Sequence, residues 1–501
     1  MKLSKITSNL RCAITGDKDV EVLGITNDTR KVQAGWAFVA IKGYSTDGHK
    51  FIPQALENGA SVVIVDRDFK GELPVTTVTV KDSRKALAKL SMEFYGHPTE
   101  KLRVIGVTGT NGKTTVTNLI NEMLESRGHK TGLFGTNNYK VIDKIIDAPT
   151  TTPESFQIQK MCSEILDGGG EYATMEVSSH AVVTKRIYGT DYDIGVFTNL
   201  TQDHLDFHKT MDEYKHAKGR FFTSLGTGAS KGGKTKVAII NNDDKHAEYF
   251  QSVTLTDVVT YGIYNQNSDI IAKEITMSSQ GSSFILETWM GSIDIKTSLT
   301  GEFNVYNCLA AITVALVEGF TLSEIKNAMA KLVGVPGRFE LVKSDQGFSV
   351  VVDYAHTPDG LSNVLKTAKE ITAGKLITVF GCGGERDAEK RPIMAEVAER
   401  YSDFIVITND NPRSEDTGKI AEEIVKGLST SANYKVILSR KEAIEQALNI
   451  ASAKDTVIVA GKGHENYQIL ADKTIDFDDK LIVEEILRSM KKHEDNSEGI
   501  I

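Results

Sequence analysis

The sequence predicts an α/β fold in which mostly parallel sheets are distributed over more than one domain. At 501 residues the chain is longer than one hydrophobic core usually supports, so two to four domains are expected. From about residue 99, short apolar segments alternate with helical patterns, which is typical of parallel strands joined by helices. The alternation begins again after Val335-Pro336-Gly337-Arg338, which indicates a further sheet of this kind.

Residues 1–98 predict a small N-terminal α/β domain. The predicted elements are strands over 20–25, 36–41 and 61–65 and helices over 51–58 and 83–95. Gly96-His97-Pro98 interrupts the pattern and marks a domain boundary. Hydrogen-bonding side chains cluster at residues 26–30, after the first strand, where capping of a turn and binding of a ligand are both open.

The strongest local signal for chemistry is a strand, a glycine-rich loop and a helix in direct succession. Residues 104–107 predict a buried strand, residues 109–115 form the loop, and a helical pattern follows. Glycines let backbone N–H groups approach an anion, while Lys113 can reach terminal phosphates and Thr114 can place a hydroxyl on Mg²⁺. The strict pattern has glycine where Val107 stands. An ATP or GTP site is predicted, the alternative being a turn without a ligand.

Three more predicted strands in this region end in polar residues. They cover residues 172–177, 194–197 and 236–240. Ligands of open α/β sheets bind at the carboxyl ends of the strands, the edge that the phosphate loop also occupies. Glu176 and His204 are therefore expected to converge on the Mg²⁺ of that loop, although a single Glu or His is more often structural.

Two other segments of the central region have recognisable patterns. Residues 254–300 predict an antiparallel, β-rich addition to the sheet. Residues 149–154 form a loop because of their two prolines, and their hydroxyls can either cap the next helix or bind substrate.

The C-terminal region predicts a second binding face. Its four predicted strands, over 348–352, 376–380, 403–407 and 456–459, each end in a loop that contains Gly, Asp or Arg. Chance composition explains one or two such loops but not four. Since arginine binds carboxylates and phosphates well, an anionic group is the expected ligand here.

The composition excludes several classes of protein. The net charge is −9 without a long basic run, so extended contact with nucleic acid is not expected. The four cysteines lie far apart without a Cys-x-x-Cys spacing, which favours a reduced, cytoplasmic protein. No apolar run approaches the length of a membrane span, and the N-terminus lacks a signal-peptide core, so membrane insertion is not expected.

Together these motifs resemble the Mur ligase family of peptidoglycan synthesis over essentially the whole chain. The motifs that carry the resemblance are residues 109–115, Glu176-Val177-Ser178-Ser179-His180, Thr198-Asn199-Leu200, Asp203-His204-Leu205-Asp206, Glu302-Phe303-Asn304-Val305-Tyr306-Asn307, Gly337-Arg338-Phe339-Glu340, Asp353-Tyr354-Ala355-His356-Thr357-Pro358 and Gly461-Lys462-Gly463-His464-Glu465. In that family the glycine missing at Val107 is normal.

The resemblance implies three domains: residues 1–98 for a UDP-sugar substrate, 99–335 for ATP, and a Rossmann-like 336–501 for an amino acid. It implies a monomeric ligase that uses ATP and Mg²⁺. The D-glutamate carboxylate of a UDP-N-acetylmuramoyl dipeptide would attack the γ-phosphate. An amine would then attack the acyl phosphate, giving ADP and phosphate. Anionic nucleophile and phosphate repel each other, so cations such as Mg²⁺ and Lys113 must first neutralise charge.

The resemblance also implies roles for individual residues. The ATP-binding residues would be Gly109, Thr110, Asn111, Gly112, Lys113, Thr114, Thr115, Asn307, Arg338 and Asp353. The catalytic residues would be Lys113, Glu176, His204 and a carbamylated Lys218, and the metal would be held by Thr114, Glu176, His204 and Lys218. The UDP-sugar dipeptide would contact Thr29, Thr151, Thr152, Ser178, Thr184 and Arg186. Thr184 stands where some relatives have glutamine, and an unmodified Lys218 in a salt bridge is the alternative to the carbamate.

The amino acid would be bound by Arg386, Asp410, Asn411, Pro412, Arg413, Gly461 and Glu465. The loop from Asp410 to Arg413 resembles that of members that use meso-diaminopimelate, whose second carboxylate suits an arginine. L-Lysine or meso-lanthionine remain alternatives. So do a ligase of the folylpolyglutamate-synthetase type and, from another class, a nucleotide-controlled binding protein.

Overall fold

The fold consists of three α/β regions, each built on its own sheet. It is seen in a computed structural model, which describes residues 1–43, 46–226 and 231–498, with side chains described as far as Lys491. Within these residues, no helix combines the length and the apolar character that crossing a membrane requires. The predicted α/β class is confirmed.

The N-terminal region contains a five-stranded sheet. Its elements are β1 (Cys12–Thr15), β2 (Gly24–Thr26), β3 (Trp36–Val39), β4 (Val62–Asp66), β5 (Thr76–Val80), α1 (Leu3–Ile6), α2 (Ile52–Glu57) and α3 (Ser83–Tyr95). The strand order is β1-β5-β4-β3-β2, and only β1 runs antiparallel to its neighbour. Strands β1 and β5 were missing from the sequence-based prediction.

The first predicted strand, over residues 20–25, was largely wrong. The sheet strand begins at Gly24, because the preceding residues bond to the N-terminus of the chain instead. Leu3 N donates to Val20 O at 2.9 Å, and Val22 N donates to Met1 O at 2.8 Å. An apolar segment that is extended in both settings does not reveal in the sequence which partner it takes.

The central region contains an eleven-stranded sheet. Its strands are β6 (Arg103–Thr108), β7 (Thr131–Phe134), β8 (Tyr139–Val141), β9 (Lys144–Ile146), β10 (Tyr172–Glu176), β11 (Ile194–Phe197), β12 (Val237–Asn241), β13 (Asp257–Gly262), β14 (Ile270–Ser278), β15 (Gly281–Thr288) and β16 (Gly291–Thr297). Its helices are α4 (Lys113–Ser126), α5 (Ser155–Asp167), α6 (Ser179–Val183), α7 (Leu205–His208), α8 (Met211–Leu225), α9 (Ala247–Ser252), α10 (Glu302–Val317) and α11 (Leu322–Lys331).

Strand β6 lies in the middle of this sheet, in the order β16-β15-β14-β13-β12-β11-β6-β10-β7-β8-β9. All six of its residues are buried. Ile105 and Val107 pack on the face covered by α4 and α10, whereas Val104 packs on the other face with residues of α5 and α8. A strand covered on both faces must be apolar throughout, which is why this run was recognisable in the sequence.

The predicted antiparallel addition over residues 254–300 is partly correct. Strands β14, β15 and β16 pair antiparallel, as expected. Strand β13, however, pairs parallel with both β12 and β14 and therefore continues the main sheet.

The C-terminal region contains a six-stranded sheet and a small two-stranded one. The strands are β17 (Glu340–Val342), β18 (Ser349–Asp353), β19 (Leu376–Phe380), β20 (Phe404–Ile407), β21 (Tyr434–Val436), β22 (Thr456–Ala460), β23 (Tyr467–Ile469) and β24 (Thr474–Asp476), and the helices are α12 (Pro358–Ile371), α13 (Lys390–Tyr401), α14 (Thr417–Val425), α15 (Arg440–Ile450) and α16 (Asp479–Glu498). The main order is β17-β18-β22-β19-β20-β21, with only β17 antiparallel. The four loops predicted to form a binding face therefore leave neighbouring parallel strands at one edge.

A buried ion pair holds two of these loops in place. Arg440 and Asp479, the first residues of α15 and α16, are both fully buried, with Arg440 Nη2 2.6 Å from Asp479 Oδ2. The same guanidinium donates to Asn409 O at 3.1 Å and to Ala460 O at 3.0 Å. These carbonyls lie just after β20 and at the end of β22, so the pair anchors the starts of the 409–413 and 461–465 loops.

We predict that Asp479→Ala lowers the free energy of unfolding of the C-terminal region by about 3–5 kcal/mol, because a buried Arg440 would be left without its counter-charge. The matched control is Glu485→Ala on the same helix. It removes an exposed ion pair with Lys441 (3.1 Å) and should cost at most about 1 kcal/mol. Denaturant unfolding followed by circular dichroism measures both variants, and equal losses would contradict this prediction.

Candidate active site

The glycine-rich loop connects β6 to α4 and is braced by the end of the neighbouring strand β11. Asn199 O accepts a hydrogen bond from Thr110 N at 2.9 Å, and Asn199 Oδ1 accepts one from Asn111 N at 2.9 Å. Thr198 Oγ1 donates to Asn111 O at 2.6 Å. Gly112 has φ +85°, and a Cβ at this position would collide with Asn307 Oδ1. The loop conformation thus requires glycine and is held from outside by Thr198-Asn199.

Two cations lie at the start of α4. Lys113 Nζ folds back and donates to Gly109 O at 3.0 Å and Thr110 O at 2.7 Å. Burial lowers the pKa of Lys113, although Glu176 opposes this effect. Arg338 Nη2 donates to Thr114 Oγ1 at 2.9 Å, and Arg338 Nε is buried without a hydrogen bond to any described residue. Cationic donors bonded only to neutral oxygens are well suited to the phosphates of a nucleotide.

A cavity of about 270 Å³ opens beside the loop. Six of the predicted nucleotide residues line it: Asn111, Gly112, Thr115, Asn307, Arg338 and Asp353. Asp353 accepts hydrogen bonds from Phe339 N and Ala355 N, both at 2.6 Å. Burial raises its pKa to about 6, with Arg338 acting in the opposite direction.

A second, smaller cavity of about 150 Å³ gathers the predicted catalytic residues. Lys113, Thr114, Glu176, His204 and Lys218 all line it. Glu176 is fully buried and accepts hydrogen bonds from Thr136 N at 2.7 Å and Thr136 Oγ1 at 3.1 Å.

These oxygen donors fit Mg²⁺. In the described part of the chain, no cluster of three or more His, Cys, Asp or Glu side chains could hold a metal without help. Mg²⁺, however, is commonly bound by one or two protein groups together with substrate phosphates. The Glu176 carboxylate and the Thr114 hydroxyl are such groups.

His204 lies at the edge of the same cavity in a left-handed backbone conformation, with φ +56°. Its Nε2 is 3.3 Å from Asp203 Oδ2, and its ring contacts that of His180 edge-on at 4.8 Å. Burial lowers the pKa of His204, and the charges of Lys113 and Lys218 act in the same direction. The imidazole is therefore neutral, the form that can bind a metal.

Lys218, on α8, is 1% exposed. Its Nζ donates to Gly109 O at 2.7 Å and lies 4.5 Å from the centre of the Tyr214 ring. Burial, with repulsion from Lys113, holds its pKa well below the usual value. No ion pair among the described residues includes Lys218, so the ordinary salt bridge considered as an alternative is not found there.

A third cavity, of about 680 Å³, is formed largely by the loops of the C-terminal sheet. The predicted amino-acid residues that line it are Arg386, Asp410, Asn411, Arg413, Gly461 and Glu465. Pro412 is buried behind this loop, and its carbonyl accepts from Glu415 N at 3.1 Å.

The charged groups of this cavity are only partly engaged. Arg413 Nη1 donates to Gly384 O at 2.8 Å and to Asn411 O at 3.3 Å, while its other guanidinium nitrogens make no hydrogen bond among the described residues. Glu465 Oε2 is 2.9 Å from Lys462 Nζ and also accepts from Asn411 Nδ2 at 2.9 Å. The cavity thus offers both a cationic and an anionic end to a ligand.

The three cavities meet at one place. Tyr354 and His356, which follow strand β18, line all three. His356 Nδ1 lies 2.8 Å from Tyr354 O, and burial lowers its pKa. After the ligands predicted from the sequence, the cavities of about 270, 150 and 680 Å³ are called the nucleotide, phosphate and amino-acid cavities. Because the three share lining residues, a phosphoryl group could be transferred to a carboxylate in the phosphate cavity and then be displaced by an amine from the amino-acid cavity.

Comparisons with known proteins agree with this arrangement. The chain matches models of the Mur ligase family catalytic domain over residues 21–95, of the Mur ligase middle domain over 107–315, and of the Mur ligase glutamate ligase domain over 337–463. A curated UDP-N-acetylmuramoyl-L-alanyl-D-glutamate–2,6-diaminopimelate ligase of Bacillus cereus is 46% identical over 99% of this chain and all of the relative. The Bacillus velezensis protein of the same name is 47% identical over 96% and 97% of the two chains.

The chain belongs to the Mur ligase family. A solved structure of a protein with the same name as these relatives is 33% identical and superimposes with a TM-score of 0.68, covering 98% of this chain and 100% of the other. The family resemblance predicted from the sequence is confirmed.

Not all residues that the Mur ligase resemblance assigned to the UDP-sugar dipeptide lie together. Thr151 and Ser178 line the phosphate cavity, and Thr152 lies beneath them, donating to Glu176 O at 2.8 Å. Arg186 Nη1 donates to Thr152 O at 3.2 Å.

Thr184 and Thr29 do not line the cavity of about 150 Å³, and their hydroxyls bond within the protein. Thr184 Oγ1 donates to His180 O at 2.7 Å, within its own helical turn. Thr29 Oγ1 donates to Gln54 Oε1 at 2.8 Å in the N-terminal region. Beside it, Asp28 caps the short helical turn by accepting from Arg30 N at 3.1 Å, so capping accounts for part of the 26–30 cluster.

Some lining residues of this Mur ligase were given no role in the prediction from the sequence. Asp359, at the start of α12, accepts a hydrogen bond from Asn111 Nδ2 at 2.7 Å and thereby joins the C-terminal region to the phosphate loop. Asp243 accepts from Tyr306 Oη at 2.7 Å in the nucleotide cavity. His464 lies in the amino-acid cavity, where burial lowers its pKa to about 3. Asp243 could have been found in the sequence, because it follows a predicted strand that ends in polar residues. No local sequence pattern indicates the contact of Asp359 with Asn111.

We predict that Gly112→Ala weakens ADP binding at least about tenfold. A left-handed alanine costs about 1–2 kcal/mol, and its Cβ must displace Asn307. Gly128→Ala, beyond the other end of α4, is the control, since it has φ +88° but open space around the added Cβ. Titration calorimetry should find normal ADP binding in the control alone, and equal weakening in both variants would contradict the assignment.

Proposed function

We propose that this Mur ligase joins meso-diaminopimelate to the D-glutamate carboxylate of UDP-N-acetylmuramoyl-L-alanyl-D-glutamate, converting ATP to ADP and phosphate. The observation that carries this proposal is that Tyr354 and His356 line all three cavities, so the three cavities adjoin there. The two highly similar relatives bear the name of this reaction over nearly their whole length. The N-terminal match over residues 21–95 argues against a folylpolyglutamate-type ligase, which would not need this substrate domain.

The first chemical step is the attack of a carboxylate on the γ-phosphate. Both reactants are anions, so cationic groups must lie between them before they can approach. Lys113, the neighbour of Thr114 in the chain, and Arg338, which donates to the Thr114 hydroxyl, supply two such charges. Mg²⁺, held by Thr114, Glu176 and His204, would supply further positive charge to the phosphates. The resulting acyl phosphate has phosphate as a leaving group, which a carboxylate lacks.

The second step requires an amine that reaches the same point from the amino-acid cavity. Arg413 would bind the distal carboxylate of meso-diaminopimelate through the guanidinium nitrogens other than Nη1, which already donates to Gly384 O. Arg386 would hold the other carboxylate. Glu465 and Gly461 would accept from the distal ammonium, with Asp410, Asn411 and Pro412 shaping the loop. L-Lysine has no distal carboxylate for Arg413, whereas meso-lanthionine has one and remains the alternative substrate.

The domain limits are part of this proposal. Residues 1–98 would bind the UDP-sugar, 99–335 the ATP and 336–501 the amino acid. Thr29, Thr151, Thr152, Ser178, Thr184 and Arg186 would contact the UDP-sugar dipeptide. The Thr184 hydroxyl donates to His180 O and can still accept a hydrogen bond from the substrate. A monomeric state and a cytoplasmic location are also part of this proposal.

We infer that Lys218 carries a carbamate in the active enzyme. A lysine buried beside Lys113 without a carboxylate partner is unstable as an ammonium ion, and the neutral amine is the form that reacts with CO₂. The modified side chain would be an anion that faces the phosphate cavity and could serve as a metal ligand. This accounts for a buried lysine whose only hydrogen bond, among the described residues, goes to Gly109 O.

The test of the proposed function is phosphate release from ATP with UDP-N-acetylmuramoyl-L-alanyl-D-glutamate. Meso-diaminopimelate, L-lysine and meso-lanthionine are supplied in parallel, and products are identified by mass. Turnover with meso-diaminopimelate and not L-lysine is expected. Turnover with L-lysine would overturn the role of Arg413, and nucleotide binding without turnover would favour a nucleotide-controlled binding protein.

We predict that Arg413→Ala raises the KM for meso-diaminopimelate by about 10- to 100-fold, because hydrogen bonds to a charged group contribute about 1.5–3 kcal/mol. The KM for ATP should stay within about twofold. Arg400→Ala, at an exposed position of α13, is the matched control and should change neither constant. Steady-state kinetics decide, and equal increases in both KM values would mean that Arg413 supports the fold rather than the substrate.

We predict that Lys218→Ala abolishes ligation and that formate or acetate at millimolar concentration partly restores it, because a small carboxylate can occupy the place of the carbamate. Arg220→Ala, exposed on the same helix, should behave like the unaltered enzyme. Mass spectrometry under native conditions should also find that the unaltered chain is heavier by about 44 Da, the mass of the CO₂ that carbamylation adds. Loss of activity without rescue in Lys218→Ala would count against the carbamate.

A further inference from the structure

Lys390 is a largely buried lysine whose ammonium group has access to a cavity. It is the first residue of α13 and is 6% exposed, and it lines the amino-acid cavity. Among the described residues, no hydrogen bond or ion pair involves its Nζ, and Nζ is not one of the buried polar atoms that lack a partner. A cation that faces a cavity without a carboxylate partner is available to bind an anionic ligand.

Arg391, the next residue in the chain, is a buried cation with a structural role and serves as a comparison for Lys390. Arg391 is 2% exposed, and its guanidinium is 2.8 Å from Glu415 and 2.6 Å from Glu423. It also donates to Gly383 O at 3.2 Å. Arg391 therefore links loops of the C-terminal sheet to one another, whereas Lys390 makes no such bond among the described residues.

The surroundings of Lys390 show which ligand it faces. Asp203, His204 and His356 line the place where the amino-acid cavity opens into the phosphate cavity. The charge of Lys390 acts on Asp203 and on His356 from beyond ion-pair distance. Asp387 lines the cavity too, but no ion pair links it to Lys390.

The positive end of α13 adds to this field, since Lys390 stands in its first turn. Lys113 and Arg338 both line the phosphate cavity. Lys390 lines the amino-acid cavity, which shares Asp203, His204 and His356 with the phosphate cavity. An anion at this shared lining would therefore have cations in both cavities.

We propose that Lys390 binds the phosphoryl oxygens of the acyl phosphate and stabilises phosphate as it leaves. The amine nitrogen attacks the acyl carbon, and the C–N bond forms. The bond between the acyl carbon and the phosphate oxygen breaks, with its electron pair remaining on that oxygen. The proton lost by the amine goes to the leaving group, which departs as HPO₄²⁻. Lys390 stays protonated throughout and offsets the charge that develops on phosphate.

This inference rests on the proposed function and predicts an effect on one step. The formation of the acyl phosphate can be followed without any amino acid. In ATP labelled with ¹⁸O at the β,γ-bridge, reversible transfer scrambles the label when UDP-N-acetylmuramoyl-L-alanyl-D-glutamate is present. Complete ligation is followed by mass after addition of meso-diaminopimelate.

We predict that Lys390→Met lowers kcat for ligation at least about 100-fold, while label exchange stays within about threefold and the KM for meso-diaminopimelate within about threefold. Lys390→Arg, which keeps a cation, should recover at least about a tenth of the lost rate. Lys426→Met, exposed on the same region, is the matched control and should leave all three quantities unchanged. Thermal unfolding of each variant verifies the fold.

Three outcomes would overturn the proposal. An unchanged kcat in Lys390→Met means that the lysine is not used. A raised KM with normal kcat means that it binds a carboxylate of the amino acid. Parallel loss of label exchange and ligation in a folded variant means that it acts in the first step. If the unaltered enzyme exchanges label but makes no product with any of the amino acids, the proposed function fails independently of Lys390.

Discussion

Repulsion between anions is the constraint on which this active site depends. In the proposed reaction, a carboxylate, the γ-phosphate of ATP and the leaving phosphate meet near Tyr354 and His356, which line all three cavities. Lys113 and Arg338 bring positive charge to the phosphate cavity, and the amino-acid cavity is lined by cations of its own. In a cavity shielded from water these charges act more strongly than they would at the surface.

Six buried or half-buried cations of the protein differ in whether they have carboxylate partners. Arg103, Arg391 and Arg440 each bond to buried or half-buried carboxylates, and each ties strands, helices or loops together. Lys113 and Lys218 bond only to backbone carbonyls of the phosphate loop, and Lys390 has no bond among the described residues. Arginines with carboxylate partners thus build the scaffold, while lysines without them are left for substrates, a metal or a modification.

The scaffold and the site are connected through strand ends. Strand β11 ends at Phe197, and the next two residues brace the phosphate loop. Arg440 holds the carbonyls that precede the 410–413 and 461–465 loops. Since parallel strands start their loops at one edge, residues far apart in the sequence line the same cavities.

Several features were predictable because their cause is local. The β6–loop–α4 unit could be predicted since a fully buried strand must be apolar and the phosphate loop needs its glycines. The elements 83–95, 194–197 and 376–380 were predicted with the observed bounds. Residues 20–23 were mispredicted because their partner is the N-terminus, and β13 because its partners determine its direction.

The sequence by itself determined the fold class, the phosphate loop and the family, because these depend on short-range patterns of burial, glycine and charge. Only the tertiary structure decided which polar groups remain free. Thr184 is satisfied by its own helical turn, and Asp359 reaches Asn111 from another region. Lys390 has no partner among the described residues, whereas the neighbouring Arg391 bonds to two carboxylates. Whether a charge is structural or available for chemistry depends on partners brought together by folding, and a linear sequence does not contain that information.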